Sequence, residues 1–260
     1  MIRYLHPMTS PEIGQLESSL ILAIPLGATE QHGPHLGLGC DSVVARKLVD
    51  RLAKCRDHQL VIAPTLHYGS SGEHAGFPGT LSIGQSALEM VLIEIARSAD
   101  AYRGVAFISG HGGNAEVLVR VTRTLNLESR RCFSWWPKVD SIKDELACDD
   151  KHAVTPIDLH AGRVETSILL FIAPELVTLE AIEVGNTQDQ SQIIDKIRTG
   201  GLKAVTKNGV LGDPRGATPH EGEVLVNAMV SSLIKDFDAF VETLDAPSRQ
   251  KGSDSNGKKS

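Results

Sequence analysis

The sequence is poor in cysteine, in aromatic residues and in long apolar runs, and each shortage excludes a class of protein. Only 4 of its 260 residues are cysteine, and aromatic residues make up 4%. None of the cysteines forms a CxxC pair, which argues against a disulfide scaffold and favours free thiols in a reducing compartment. The longest apolar run, residues 20–27, is far shorter than the ~20 residues that cross a bilayer. We therefore expect no membrane span.

Positive charge is also scarce. The chain carries 32 acidic and 26 basic side chains, a net charge of −6. Binding to nucleic acid through a general basic field requires the opposite balance, so we expect no nucleic-acid partner. The first eleven residues lack the apolar centre of a signal peptide, which predicts a cytoplasmic protein.

Short apolar runs alternate with amphipathic segments along the chain. The candidate strands are residues 20–26, 60–63, 105–108 and 132–136. Strand, loop and helix alternate at least three times, which is typical of βαβ units with a parallel sheet covered on both faces. Further helices are expected at residues 163–172 and 224–244. We predict an α/β fold with a single domain over residues 1–245 and a disordered tail over residues 246–260, which has nothing to bury.

Three polar segments lie where this pattern places functional loops. They are GATEQHGPHLGLGCD at residues 27–41, GHGGN at residues 110–114 and DLHAGRVE at residues 158–165. Loops at the carboxyl ends of parallel strands meet at one edge of a sheet. Their histidines and carboxylates are ligands that Zn²⁺, Mn²⁺ and Fe²⁺ accept, and a carboxylate between two ions can bridge them.

Each segment taken alone has a plainer interpretation. A histidine in a glycine-rich loop is often a structural hydrogen-bond partner, and Asp41 stands where a helix cap is expected. The GHGG segment is similar to the oxyanion loop of serine esterases, but no GxSxG elbow accompanies it. No GxGxxG or P-loop motif indicates a nucleotide. The three segments together favour a metal site.

In this order, E-x-H, an Asp eleven residues after the Glu, GHGGN and HAGxxETS resemble the creatininase family of metal-dependent amidohydrolases. The resemblance implies a three-layer αβα fold with a mainly parallel central sheet. It also implies two divalent metal ions per subunit, Zn²⁺, Mn²⁺ or Fe²⁺. The implied metal ligands are Glu30, His32, Asp41, His111 and Glu165. Glu30 and His32 would hold different ions with Asp41 between them, and His160 would be the catalytic residue that transfers a proton near the activated water.

One position departs from the family pattern. In creatininase a Glu two residues after the GHGG histidine is a further ligand, and Gly113 stands there in this chain. Glu165 is the matched carboxylate left to take its place. The replacement argues against strict creatinine chemistry and for a sister activity.

The segment YGSSGEHAGFPGT, at residues 68–80, is most similar to family members that release a C-terminal dipeptide, Val-Tyr, from a modified precursor peptide. We therefore expect a peptidase that hydrolyses a C–N amide bond. The alternative is a hydrolase of a small amide, either creatinine or a formamide intermediate of a riboflavin-type pathway. Candidate substrate-pocket residues are Glu73, His74, Trp135, Trp136 and Arg163.

Two further expectations concern turnover and assembly. The resemblance implies a closed homo-oligomer, a hexamer or higher. A metal-binding scaffold without turnover is the rival class of function, and the presence of His160 favours the enzyme.

Overall fold

A computed structural model describes residues 2–57, 59–138 and 158–245. The predicted disordered tail lies outside the described residues, so it stays a prediction. Among the described helices, none combines the length and the apolar character that crossing a bilayer requires.

Parallel strands form the central sheet in the order β2-β1-β3-β4. The strands are β1 (Ile21–Leu26), β2 (Leu60–Ile62), β3 (Gly104–Ser109) and β4 (Cys132–Trp135). Every residue of β1 and β3 is buried, because these inner strands are covered on both faces. The two strands pair along their whole length, and Leu26 lies opposite Ser109 at their carboxyl ends. The loops that follow them therefore leave the sheet side by side.

Helices cover both faces of this sheet. They are α1 (Ser10–Gly14), α2 (Cys40–Cys55), α3 (Gly84–Ser98), α4 (Ala115–Leu127), α5 (Arg163–Ile172), α6 (Gln190–Gly200) and α7 (Pro219–Asp245). One hydrophobic cluster joins Leu48 of α2 and Phe237 of α7 to one face of the strands. The other joins Leu92 of α3 and Val121 of α4 to Phe107 on the opposite face. The three-layer αβα prediction is confirmed.

The chain direction places a topological switch point between β1 and β3. The chain leaves β1 for α2 on one face and leaves β3 for α4 on the other, so the two loops begin side by side and then diverge. Ligand sites of open α/β sheets lie in the crevice outside the carboxyl ends of such strands.

Candidate metal centre

The three segments predicted from the sequence meet at the carboxyl ends of β1 and β3. Glu30 and His32 lie in the loop after β1, and Asp41 lies in the first turn of α2. His111 lies two residues after the end of β3, and the third segment reaches the site at the start of α5. The assembled side chains are Glu30, His32, His74, Asp41, His111, His160 and Glu165.

Asn114 holds the loops of the site together. Its Oδ1 accepts the backbone N–H of Ser70 at 3.0 Å, and its Nδ2 donates to the carbonyl of Gly27 at 3.1 Å. A Cβ atom on Gly69 would lie 2.6 Å from that same carbonyl, so the two loops pack backbone against backbone. This close packing brings the segment around residue 74 beside the loop after β1.

Two groups of donor atoms lie on either side of Asp41. Its Oδ1 is 3.4 Å from His32 Nε2, and its Oδ2 is 3.3 Å from His111 Nδ1. The donor atoms of Glu30, Asp41 and His111 all lie within 4.8 Å of one another, and Glu165 Oε2 lies 3.9 Å from His32 Nε2. Two ligands of one tetrahedral zinc at about 2.1 Å lie roughly 3.4 Å apart, so these spacings suit shared ions.

Several of these atoms are buried without a hydrogen-bond partner. Both carboxylate oxygens of Glu30, Nε2 of His32 and Oδ2 of Asp41 are in this state. Buried polar atoms normally have partners, because leaving one unpaired costs free energy. A bound cation would supply the missing interaction for all of them, so the residues present fit divalent ions.

The histidine rings are oriented as metal ligands are. His32 Nδ1 lies 3.1 Å from the carbonyl of Glu30, and His111 Nε2 lies 2.9 Å from the carbonyl of Ser70. A backbone carbonyl can only accept, so the nitrogen facing it carries hydrogen and the other nitrogen keeps its lone pair. Such outer contacts fix the ligand ring in metal sites.

Burial shapes the protonation of the cluster. Burial raises the pKa of Glu30 to about 7. Burial, together with the neighbouring charges of His32 and His74, lowers the pKa of His160 well below its ordinary value. Burial acts to raise the pKa of Asp41 too, but the charges of His32 and His111 outweigh it and lower that pKa. Asp41 is therefore ionised and His160 neutral at pH 7, the forms that suit a bridging carboxylate and a proton acceptor.

The site meets solvent at Glu165. Its side chain is 30% exposed, whereas those of Glu30 and His32 are 0% exposed. Water and a substrate would therefore arrive from the α5 side. A cavity of about 860 Å³ between the N-terminal segment and α2 contains none of these residues, so donor chemistry rather than cavity size marks the site.

Gly113, where creatininase has a Glu, has no space for a side chain. A Cβ atom there would lie 2.3 Å from His111 Nε2 and 2.8 Å from Glu73 Oε1. Glu73, predicted to line the pocket, is half-buried at this point. His74, predicted with it, is instead buried inside the cluster, with Nε2 3.3 Å from Glu30 Oε1.

The tryptophans predicted to wall the pocket do not reach the site. Trp135 is 1% exposed and belongs to the hydrophobic cluster under α2 and α7. Trp136 packs against the cluster on the opposite face. The two neighbouring tryptophans thus pack in hydrophobic clusters on opposite faces of the sheet.

Arg163, the candidate for a substrate carboxylate, already has an acidic partner. Its Nε donates to Glu221 Oε2 at 2.8 Å. It lines a cavity of about 490 Å³ that also contains Asp158, Asp189 and Asp213. Arg215 also lines this cavity but is paired with Asp213, so neither guanidinium group is free of an acidic partner and a substrate carboxylate would meet an excess of negative charge.

The sequence reasoning missed Gln31. Its amide lies 3.0 Å from His74 Nδ1, and its backbone carbonyl lies 2.8 Å from His160 Nε2. The signal available was its place between two candidate ligands, Glu30 and His32, in a loop that turns sharply at Gly33, where φ is +67°. That signal does not predict the contacts with His74 and His160, which lie 43 and 129 positions further along the chain.

Comparisons with known proteins identify the family of this chain. The family model described as creatinine amidohydrolase (creatininase) matches residues 6–237. The mycofactocin precursor peptide peptidase of Mycolicibacterium smegmatis is 41% identical over 223 residues, which cover 84% of each chain. The creatinine amidohydrolase of Pseudomonas putida is 29% identical over 181 residues, 62% of this chain and 68% of that one.

A solved structure designated "Creatininase Mn" has the same fold. It superposes with a TM-score of 0.74 at 21% sequence identity, covering 95% of this chain and 100% of the other. The family model spans most of the sequence, and the peptidase relative exceeds a third in identity. The chain therefore belongs to the creatininase family and is a hydrolase of amide bonds.

Proposed function

We propose that this chain is a dinuclear metal peptidase that releases the C-terminal dipeptide Val-Tyr from the modified mycofactocin precursor peptide. The observation that carries the proposal is the pair of donor groups on either side of Asp41, one carboxylate oxygen facing each. The 41% identity to a peptidase of that name supports the substrate.

In this proposal Asp41 would be a ligand of both ions. Glu30 and His111 would hold the first ion with it, and His32 and Glu165, whose donor atoms group with that of His160, would hold the second. Zn²⁺, Mn²⁺ and Fe²⁺ all accept this mixture of imidazole and carboxylate. A divalent ion bound there would supply Lewis acidity, which lowers the pKa of bound water toward ~7 and polarises a carbonyl oxygen.

His160 is the proposed proton-transfer residue. Its Nδ1 lies 3.8 Å from Glu165 Oε2, on the side where the site meets solvent. Its Nε2 hydrogen is held by the carbonyl of Gln31, so Nδ1 is the atom that accepts a proton. Nδ1 would take the proton from the attacking water and donate it to the leaving amine.

A small-amide hydrolase is the second candidate. The relative in Pseudomonas putida that is named creatinine amidohydrolase supports it at 29% identity. The glycine at position 113 disfavours this second candidate, because creatininase carries a carboxylate there and the crowding around Gly113 leaves no space for one.

The deciding experiment incubates metal-replete protein with a modified precursor peptide ending in Val-Tyr and, separately, with creatinine. Mass spectrometry then follows both reactions. We expect loss of the dipeptide mass from the peptide and no creatine. Creatine formation would support the second candidate, and neither product from protein holding two ions would overturn both.

A variant separates turnover from metal binding. His160→Ala is expected to keep two ions and lose most of the rate, since the ring transfers a proton. Loss of an ion from this variant would instead make His160 a ligand. Metal analysis of the same sample that is assayed distinguishes the two results.

We further propose that the enzyme is a closed homo-oligomer, a hexamer or higher, working in the cytoplasm. A reducing compartment suits the thiols of Cys40, Cys55 and Cys132, which are free in the described part of the chain. Light scattering on the purified enzyme measures the number of subunits.

A further inference from the structure

The side-chain amide of Gln31 is held in one orientation by two backbone groups. Its Oε1 accepts the N–H of Gly33 at 2.9 Å, and its Nε2 donates to the carbonyl of Gly209 at 3.2 Å. An N–H group can only donate and a carbonyl can only accept. Exchange of the amide oxygen and nitrogen would therefore break both contacts.

Gly209 leaves the amide little space to move. Its φ is +84°, and a Cβ atom there would lie 1.8 Å from Gln31 Oε1. The position thus needs glycine both for its backbone conformation and for the approach of the amide. Gln31 is 5% exposed, and its side-chain amide packs between two segments of backbone.

This orientation decides which nitrogen of His74 carries hydrogen. Gln31 Nε2, a donor only, lies 3.0 Å from His74 Nδ1. Nδ1 must therefore be the nitrogen with the lone pair, and the neutral ring carries its hydrogen on Nε2. That hydrogen faces Glu30 Oε1, 3.3 Å from His74 Nε2.

The backbone of Gln31 sets the reverse arrangement on His160. Its carbonyl oxygen, which can only accept, lies 2.8 Å from His160 Nε2, closer than the Gln31 amide nitrogen, which lies 3.2 Å from the same atom. Nε2 therefore carries the hydrogen, and Nδ1 keeps its lone pair. Nδ1 lies 3.9 Å from Glu30 Oε1 and 3.8 Å from Glu165 Oε2, too far for a hydrogen bond to either.

We propose that Gln31 is a positioning residue that sets opposite tautomers on two neighbouring histidines. Its side chain makes His74 an N–H donor toward Glu30, and its backbone carbonyl makes His160 a lone-pair donor toward the centre of the site. Glu30, His74 and His160 together have the spacing of a metal site, yet this tautomer leaves His74 with a hydrogen where a ligand needs a lone pair. The ions are thereby confined to the groups that share Asp41. This inference concerns the same centre as the proposed function but rests on hydrogen bonds, not on the substrate.

The first test is a long-range ¹H–¹⁵N spectrum of the zinc-loaded protein. Such spectra distinguish a ring nitrogen that carries hydrogen from one that does not, and the variants His74→Gln and His160→Gln assign the signals. We expect hydrogen on Nε2 of His74 and on Nε2 of His160, with no hydrogen on Nδ1 of either ring. Hydrogen on His74 Nδ1 in the unmodified protein would overturn the proposal.

Gln31→Met separates the side-chain and backbone effects. Methionine has a similar length but no amide, so His74 is expected to populate both tautomers while His160 keeps its hydrogen on Nε2. The affinity for zinc is expected to fall about 10- to 100-fold, as for other outer-shell changes. Gln15→Met, the same change at an exposed position, is the matched control and should alter neither quantity.

The pattern of change distinguishes positioning from general damage. In protein with an unchanged circular dichroism spectrum, an unaltered His74 or a change at both rings would contradict the proposal. Gln31→Glu gives an independent arm, because a carboxylate can only accept and should move the His74 hydrogen to Nδ1. Failure to cleave the peptide would overturn the proposed function but leave these ring signals unchanged, so the two failures are distinguishable.

Discussion

At the scale of single residues, Asp41 has the largest expected effect on metal content. Each of its carboxylate oxygens faces a different histidine, so in the proposed dinuclear centre its removal would take a ligand from both ions at once. We expect Asp41→Ala to bind neither ion and to lose activity. Elemental analysis after dialysis against a metal buffer measures the loss.

Asp50→Ala supplies the control for this change. Asp50 lies on the same helix and pairs with Arg46, away from the donor groups. The variant Asp50→Ala should therefore retain both ions. Two ions in Asp41→Ala would refute the bridging role.

The buried residue His35 is expected to make the stability of the fold depend on pH. Its Nε2 lies 2.9 Å from Thr166 Oγ1, its Nδ1 has no partner, and burial lowers its pKa to about 4. In the unfolded chain His35 has its ordinary pKa of 6.5. At a pH between about 4 and 6.5 the unfolded state therefore binds more protons than the folded state. Lowering the pH from 7 to 5 should therefore reduce the free energy of unfolding by about 2 kcal/mol through this residue.

The variant His35→Gln isolates that contribution. Denaturant unfolding at the two pH values, in the presence of a chelator, should show a drop for the variant that is smaller by about the same amount. Equal drops in both proteins would mean that His35 takes up its proton in the folded state as well.

At the scale of elements, the turn at Gly112–Asn114 tolerates added volume at its first residue but not at its second. A Cβ atom on Gly113 would collide with His111 Nε2, which binds the carbonyl of Ser70. We expect Gly113→Ala to displace the His111 ring and to reduce metal content from two ions toward one. Gly112 has nothing within 4 Å of its Cβ position, so Gly112→Ala should retain both ions. Equal metal content in the two variants would count against the packing argument.

Several elements follow from local pattern alone. The sequence places β1, β3 and α5 within a residue or two of their observed bounds, because continuous apolar runs and a clear amphipathic stripe specify them. Helix α6 was not predicted, since of its residues only Ile193 is buried and a weak apolar stripe is hard to detect. The short α1 has no buried residue and gave no signal.

At the scale of the whole molecule, the site depends on how α5 and α7 pack. A Cβ atom on Gly222 of α7 would lie 1.9 Å from the carbonyl of Ser167, two residues after Glu165 on α5. Gly222→Ala gains about 1 kcal/mol of helix propensity, but overpacking typically costs about 1–3 kcal/mol. We expect net destabilisation in denaturant unfolding and weaker metal binding.

Gly14→Ala is the corresponding control. Gly14 is also helical, and its Cβ position is open. It should leave stability unchanged or slightly raised. A stabilised Gly222→Ala protein would show that the helices separate without cost.

The sequence predicts the gathering of the donor segments but not their finer contacts. The sequence predicts that Glu30, His111 and Glu165 lie close together, because each follows a strand or begins a helix at one edge of the sheet. The burial of Trp135 and the acidic partner of Arg163 depend on side-chain direction and on distant residues. Those features arise from tertiary packing, which local pattern does not encode.

The order in which the donors occur along the chain has a consequence for biosynthesis. The group of Glu30, Asp41 and His111 is complete within the first 111 residues, whereas the group with His32 waits for Glu165. Chains leave the ribosome N-terminus first, and a domain folds as a unit. A nascent chain therefore carries every donor of the first group well before it carries Glu165, so the proposed second ion can be bound only after the first 165 residues have been made.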